Sequence, residues 1–146
     1  MSQIAKIEAK AEITSPAAKV YDFFKNNLNN FVYLFPQVFK SAHLIEGEEG
    51  HVGNVKLIEY VLGKAMSVKV KTEEISDAER SMTLRVIEGD ITQLYSSFAA
   101  KLTFTDGCVN WSIEFEKNND KTPNPENYVE LATQITKALD VYLLSN

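Results

Sequence analysis

The chain has little of what builds covalent or metal-held frameworks. Cys108 is the only cysteine among 146 residues, so an internal disulfide is impossible and a zinc site built on several thiolates is excluded. The two histidines, His43 and His51, are isolated and do not form a pair with credible ligand spacing. We therefore expect no metal and no other cofactor.

Long apolar runs and basic stripes are also missing. The first residues contain no apolar stretch fit for a signal peptide, and no later segment is long enough to span a bilayer. The net charge is -5 with both signs interleaved, whereas a nucleic-acid surface needs clustered positive charge. We expect a cytoplasmic protein with neither a membrane nor a nucleic acid as partner, and a monomer, because no apolar stripe demands an interface.

Hydrolase and nucleotide-binding motifs are absent or weak. No Gly-x-Ser-x-Gly elbow occurs, and no serine has an evident histidine partner. The glycine-rich segment 47–53 precedes a predicted strand, lacks a Lys-Ser or Lys-Thr pair, and carries Glu48 and Glu49, which would repel an anion. We interpret it as a hairpin turn. Glu88 and Asp90 are likewise more typical of a turn than of an acid–base pair.

Strand-like alternation followed by one helix dominates the rest of the chain. Residues 4–13 alternate between apolar and charged side chains, and segments from about residue 38 to 117 do the same between short turns. Two short helices are predicted between Ser15 and Pro36, and one amphipathic helix over residues 125–146. We predict an α+β fold, a single domain over residues 1–146, in which about seven antiparallel strands curl around the final helix.

The final helix carries small side chains on its apolar face. Ala132 and Ala138 lie beside Tyr128 and Tyr142, and Ala100 falls on the inner face of a predicted strand. One helix does not fill a large curved sheet, so this pattern favours a ligand cavity. Small inward residues also occur in filled cores, and the composition alone leaves both interpretations open.

Lys56 is the sharpest single candidate for chemistry. It shares a strand face with Ile58 and Tyr60, while Glu59 lies on the opposite face, so alternation cannot decide which face points inward. An inward lysine can act as a base, an imine former or a hydrogen-bond donor. An outward one is an ordinary solvated lysine. The residues alone leave this choice open.

Five tyrosines form a second group of candidates: Tyr21, Tyr60, Tyr95, Tyr128 and Tyr142. Several fall on predicted inner faces, where a phenol can pack on an apolar ligand and orient one polar atom. Ordinary core packing would account for any one of them taken alone.

Three short motifs occur in a recognisable order: Glu46-Gly47 before the glycine-rich turn, residues 87–90 (IEGD) at a hairpin, and residues 111–117 (WSIEFEK). Over essentially its whole length the chain resembles the major latex protein branch of the plant pathogenesis-related class 10 and Bet v 1-like superfamily. The resemblance implies a helix-grip fold, in which a curved seven-stranded sheet and two short helices in a V enclose a hydrophobic cavity. Glu48, Glu49 and His51 depart from the pollen-allergen loop, whose proposed roles are not transferred.

The resemblance also implies which residues face the ligand. It turns Lys56, Ile58 and Tyr60 inward, and it makes Lys56 and Tyr60 the candidate catalytic residues. The implied ligand-binding set is Phe39, Lys56, Ile58, Tyr60, Met82, Leu84, Val86, Ala100, Leu102, Trp111, Tyr128, Leu131, Ile135 and Leu139.

The function implied by the resemblance is binding of hydrophobic plant small molecules, such as steroids, phenolics, terpenoids or cytokinin-like compounds, in specialised metabolism or defence. The alternative is a cofactor-free cyclase or isomerase acting on a reactive intermediate, such as iridoid (nepetalactol-type) cyclisation or an alkaloid-pathway step. A dry pocket that holds an enol in one shape needs little more than one proton donor or acceptor. Signalling through protein contacts is compatible with the family, without a distinct sequence feature.

Overall fold

In the part of the chain that the structure describes, seven antiparallel strands form one open sheet. The computed structural model describes residues 3–145. Its strands are β1 Ile4–Glu12, β2 Phe39–Glu46, β3 Val55–Leu62, β4 Lys64–Ser76, β5 Ser81–Gly89, β6 Tyr95–Thr105 and β7 Cys108–Lys117. Their order in the sheet is β1-β7-β6-β5-β4-β3-β2, so β2 to β7 form a meander and β1 returns to pair with β7.

Among the described residues, three helices accompany the sheet: α1 Ala17–Asn26, α2 Phe31–Leu34 and α3 Glu126–Leu144, with 3₁₀ turns at Leu28–Asn30 and Asp90–Gln93. The long helix α3 buries Leu131, Ala132, Ile135 and Leu139. This arrangement confirms the predicted α+β helix-grip fold. None of the helices within residues 3–145 is long and apolar enough to cross a membrane.

Aromatic rings fill one end of the interior. Phe24 of α1 packs against Phe104 of β6 and Trp111 of β7, with ring centroids 5.4 and 5.7 Å apart. Phe24 and Phe104 are almost completely buried, and burying such a side chain is worth about 1.5–3 kcal/mol. This end of the molecule is therefore a packed core, and it fixes α1 against the sheet.

A buried carboxylate joins α3 to the segment before α1. The helical pattern predicts Asp140 on the polar side of α3, but Asp140 is buried and accepts hydrogen bonds from the backbone N–H of Thr14 (2.9 Å to Oδ2) and Ser15 (2.8 Å to Oδ1). Burial alone would raise the pKa of Asp140, but the hydrogen bonds from Ser15 and Thr14 outweigh it and lower that pKa. The Ser15 hydroxyl does not cap α1 and donates to the Asp140 carbonyl at 3.3 Å.

A register shift interrupts the start of β6. The strand pattern groups Leu94 with Phe98 on the inner face, but the pairing with β7 shifts between Tyr95 and Ser97. Leu94 consequently lies at the end of the 3₁₀ turn and is exposed, whereas Tyr95 is buried. The Tyr95 hydroxyl donates to the Pro123 carbonyl at 2.6 Å, which ties β6 to the loop before α3.

Candidate ligand cavity

An apolar cavity lies between the sheet, α1, α2 and α3. Its volume is about 170 Å³, much more than the ~10–15 Å³ that a single water molecule requires. Within residues 3–145, no charged side chain lines it. The composition left a filled or hollow interior open, and the structure shows a hollow one.

Most of the residues predicted for the ligand site lie around this cavity. The ten that line it are Phe39, Ile58, Tyr60, Leu84, Val86, Ala100, Trp111, Tyr128, Leu131 and Ile135. The structure brings them together from β2, β3, β5, β6, β7 and α3. Their contact with a ligand remains a prediction.

Four predicted residues do not line the cavity: Lys56, described below, and three residues of the packed core. Met82, Leu102 and Leu139 are almost completely buried in the packed core beside Phe104 and Val109 and do not line the cavity. Met82 and Leu102 are direct partners across β5 and β6, and they face inward as alternation predicts. They lie toward the end where α1 fills the interior. Periodicity along one strand shows which residues face inward, but it cannot show whether they face the packed core or the cavity.

The prediction also missed nine lining residues: Phe24, Leu28, Phe31, Val32, Ala42, Val68, Val70, Ile91 and Phe98. For four of them a signal was present. Val68 and Val70 share the apolar face of β4, Phe24 lies on the apolar face of α1, and Phe98 lies on the predicted inner face of β6. Ile91 lies in a 3₁₀ turn, where no periodic pattern marks the inward side.

Two tyrosines supply a hydrogen-bonded polar pair in the cavity. The hydroxyls of Tyr60 on β3 and Tyr128 on α3 lie 2.5 Å apart, and either can be the donor. The Tyr128 ring packs edge-on against Phe98, and its hydroxyl lies 3.9 Å from the Met66 sulfur. Two hydroxyls hold two protons and one is used within the pair, so the other is left for a weak sulfur contact or a ligand.

Burial raises the pKa of Tyr60 and of Tyr128, because the charged phenolate loses its hydration inside an apolar cavity. The nearby charge of Asp90 acts in the same direction on both. The two phenols therefore stay protonated at neutral pH. The pair can donate or accept a hydrogen bond, but neither phenol is suited to act as a base.

Trp111 lines the cavity with its ring only. Its indole Nε1–H donates to the Thr136 hydroxyl at 3.0 Å, and Thr136 in turn donates to the Ala132 carbonyl at 2.8 Å. Because an indole has one donor and no acceptor, Trp111 has no hydrogen bond left for a ligand. It contributes an apolar wall, and it fixes α3 against β7.

Lys56 is buried, as the resemblance implies, but it does not line the cavity. Its side chain is 4% exposed and its Nζ lies 2.8 and 2.6 Å from the two carboxylate oxygens of Glu49. A third acceptor, the Asn29 side-chain oxygen, lies at 3.3 Å. An ammonium has three N–H donors, and all three are engaged. The structure therefore gives no support to Lys56 as a free catalytic base.

The chain matches the profile of the pathogenesis-related protein Bet v 1 family over residues 2–146. It belongs to the Bet v 1 family. MLP-like protein 31 of Arabidopsis thaliana is 30% identical over 151 aligned residues, covering 99% of this chain and 88% of that protein. The predicted relationship to major latex-like proteins is confirmed.

Solved structures support the fold of this Bet v 1 family member. The crystal structure of ginseng major latex-like protein 151 from Panax ginseng superposes with a TM-score of 0.92 at 24% identity, covering 95% of this chain and 97% of that one. Norcoclaurine synthase from Thalictrum flavum superposes with a TM-score of 0.80 at 20% identity, covering 99% and 89%. At these identities the likeness concerns the fold alone.

The glycine-rich loop of this Bet v 1 family member is anchored at both sides. A side chain at Gly50 would collide with the Asn26 side chain, so the loop backbone packs directly on the end of α1. At its base, buried Asn54 donates to the Glu48 carbonyl at 3.1 Å and accepts from the Thr72 hydroxyl at 2.8 Å. These contacts hold Glu49 over Lys56.

Metal binding finds no support in the part of the chain that the structure describes. No group of three or more His, Cys, Asp or Glu side chains in residues 3–145 is placed to hold a metal ion. The cavity lining itself offers apolar contacts and the hydrogen-bonding phenol pair.

Proposed function

We propose that this protein binds a hydrophobic small molecule of plant metabolism in its internal cavity. The observation that carries the proposal is the uncharged, apolar lining around the Tyr60–Tyr128 pair. Ligand pockets are typically apolar with a few convergent polar groups that fix orientation, and the Bet v 1-like fold is known to bind hydrophobic ligands.

The lining favours a particular chemistry in the ligand. Apolar area removed from water contributes about 25 cal/mol per Å², so a terpenoid, steroid or phenolic skeleton gains affinity throughout the cavity. The phenol pair provides one place for a carbonyl or hydroxyl oxygen. A second polar group elsewhere would be buried without a partner, which costs about 1–3 kcal/mol. The proposed ligand is therefore compact, apolar and singly functionalised.

Native mass spectrometry of the protein isolated from its source tissue tests this proposal. We expect a fraction of the protein to carry a hydrophobic molecule whose mass is released on denaturation. A protein that carries no such molecule, and that binds none of a panel of terpenoids, steroids and phenolics in solution, would contradict the proposal.

A second candidate is a cofactor-free cyclase or isomerase, of the iridoid (nepetalactol-type) or alkaloid-pathway kind. The observation that favours it is the protonated phenol pair, because a neutral hydroxyl in a dry cavity can stabilise charge that develops on an enol oxygen. Lys56 adds nothing to this candidate, since its ammonium is engaged by Glu49.

The enzymatic candidate is tested by adding the protein to a reaction that generates a reactive monoterpenoid enol. A catalyst would change the product distribution, and the Tyr60→Phe/Tyr128→Phe double variant would reduce that change. An unchanged distribution across iridoid and alkaloid intermediates would leave binding as the function.

The cytoplasmic location and monomeric state remain predictions, which fractionation of plant tissue and light scattering would check.

A further inference from the structure

Lys56 lies one step beyond the cavity on the same face of β3. Ile58 and Tyr60, the next two residues on that face, both line the cavity. Val70, the register partner of Lys56 on β4, lines it as well. The lysine stem therefore borders the cavity, although its ammonium group is turned toward the glycine-rich loop.

Glu49 and Asn29 hold the ammonium group in that position. Each of the three side chains bonds to the other two: Lys56 donates to Glu49 and Asn29, and the Asn29 amide donates to Glu49 Oε1 at 3.2 Å. Asn29 directly follows the cavity residue Leu28. The closed set of bonds thus lies at the cavity margin, between β3 and the 3₁₀ turn.

The charge balance at this margin depends on Glu49. With Glu49 present, the paired charges sum to zero and the ammonium has no unused donor. Without the Glu49 carboxylate, a cation that is only 4% exposed would keep neutral acceptors alone, such as the Asn29 side-chain oxygen. A buried charge that loses its partner is strongly unfavourable until it finds another, and the adjoining cavity offers a place for one.

We propose that Glu49 is a specificity-determining residue, which engages the Lys56 charge and thereby makes the cavity selective for neutral over anionic ligands. The inference rests on the proposed binding function and names the ligand class: uncharged apolar molecules, with carboxylates disfavoured. Replacing Glu49 by a neutral residue converts the cavity margin into a site for a carboxylate.

Two probes with the same twelve-carbon chain, 1-dodecanol and dodecanoate, test the proposal by titration calorimetry at pH 8, where the carboxyl group is ionised. We expect wild type to bind 1-dodecanol more tightly than dodecanoate. In Glu49→Gln the affinity ratio of dodecanoate to 1-dodecanol rises about tenfold or more, the order expected for one desolvated charge pair.

A matched control comes from the neighbouring position in the loop. Glu48→Gln removes the same charge, but the Glu48 side chain is 82% exposed and lies near His51 at the loop surface. It should leave the ratio unchanged within about twofold. An equal shift in Glu48→Gln and Glu49→Gln would show a general effect of net charge and would overturn the proposal.

The Glu49→Gln/Lys56→Met double variant keeps the test decisive even where Glu49→Gln alone does not fold, because it buries no unpaired charge. We expect its ratio to match wild type within about threefold. A larger change would mean that Lys56 already acts on the ligand in wild type and would refute the inference. An unshifted ratio in folded Glu49→Gln overturns the inference alone, whereas failure of wild type to bind either probe counts against the binding function itself.

Discussion

The Tyr60–Tyr128 pair is the polar point from which a ligand in this cavity can be oriented. Both hydroxyls are inside, they bond to each other, and burial keeps both protonated. Lys56 was the more conspicuous candidate in the sequence, but its ammonium group donates its hydrogen bonds to Glu49 and Asn29. At the scale of single residues, the cavity therefore offers a proposed ligand one neutral hydrogen-bonding group in an uncharged wall.

Removing the phenols should change selectivity more than overall affinity. For Tyr60→Phe/Tyr128→Phe we expect the affinity for menthone, relative to the parent hydrocarbon p-menthane, to fall about fivefold, because one neutral hydrogen bond contributes about 1 kcal/mol net. Competition against a fluorescent apolar probe would measure it. Tyr33→Phe is the control, since the Tyr33 side chain is exposed. Equal losses for ketone and hydrocarbon would show that the pair acts only through packing.

Alternation along the strands grouped residues by face, and the family resemblance chose the inward face; together they predicted much of the cavity lining and missed identifiable parts of it. Alternation placed Tyr60 and Ile58 on one face, and the structure puts both on the cavity wall. It could not identify Glu49 as the partner of Lys56, because the loop conformation that brings them together has no period. It also could not show that Met82 faces a filled part of the interior, since that depends on where α1 packs.

At the scale of elements, the joint between α3 and the segment before α1 depends on one carboxylate. Helical periodicity predicts Asp140 on the solvent-exposed face of α3, because it detects only the apolar face of a helix. It carries no information on backbone N–H donors that are far away in the sequence. Thr14 and Ser15 supply those donors. Their hydrogen bonds favour the charged carboxylate, which is why the pKa of Asp140 is lowered although burial opposes this.

The Asp140 joint predicts a pH-dependent contribution to stability. Because the pKa is lower in the folded than in the unfolded state, the contribution is fully present above the unfolded value of about 3.9 and is lost as the pH falls through the folded value. Asp140→Asn should cost about 2 kcal/mol of unfolding free energy at pH 7, the size of a hydrogen bond to a charged group.

Urea unfolding of wild type and Asp140→Asn, in steps from pH 7 to pH 2, would measure this. The difference between the two proteins should shrink below about pH 4, as the wild-type carboxylate is protonated. Asp106→Asn, in the exposed turn between β6 and β7, is the control and should show little difference at any pH. A difference for Asp140→Asn that stays constant with pH would contradict the account.

The turn after β5 requires a glycine at position 89. Gly89 has a φ of 128° and a side chain there would collide with the Ser67 backbone carbonyl. The turn that follows delivers Ile91 to the cavity. We expect Gly89→Ala to destabilise the protein by at least about 1 kcal/mol more than Gly107→Ala, because Gly107 also has positive φ but faces open space. Thermal unfolding would compare them, and equal losses would exclude the contact as the cause.

At the scale of the whole molecule, the interior is divided into a packed end and a hollow end. Leu102, Phe104 and Leu139 fill the first, while small side chains such as Ala100 leave the second open. The sequence could predict the fold from its periodicity and resemblance. It could not predict the size or position of the cavity, because these depend on how elements from opposite ends of the chain pack together.

The central claim is that a ligand binds inside the cavity. Its most direct test is the ligand affinity of a variant in which a larger side chain fills the cavity. Ala100→Phe places a ring into the cavity from β6, whereas Ala65→Phe adds the same ring at an exposed position of β4. With menthone as the probe, we predict that Ala100→Phe loses about tenfold or more in affinity, equivalent to about 1.4 kcal/mol, while Ala65→Phe binds as wild type does. A folded Ala100→Phe that retains wild-type affinity would contradict binding inside this cavity.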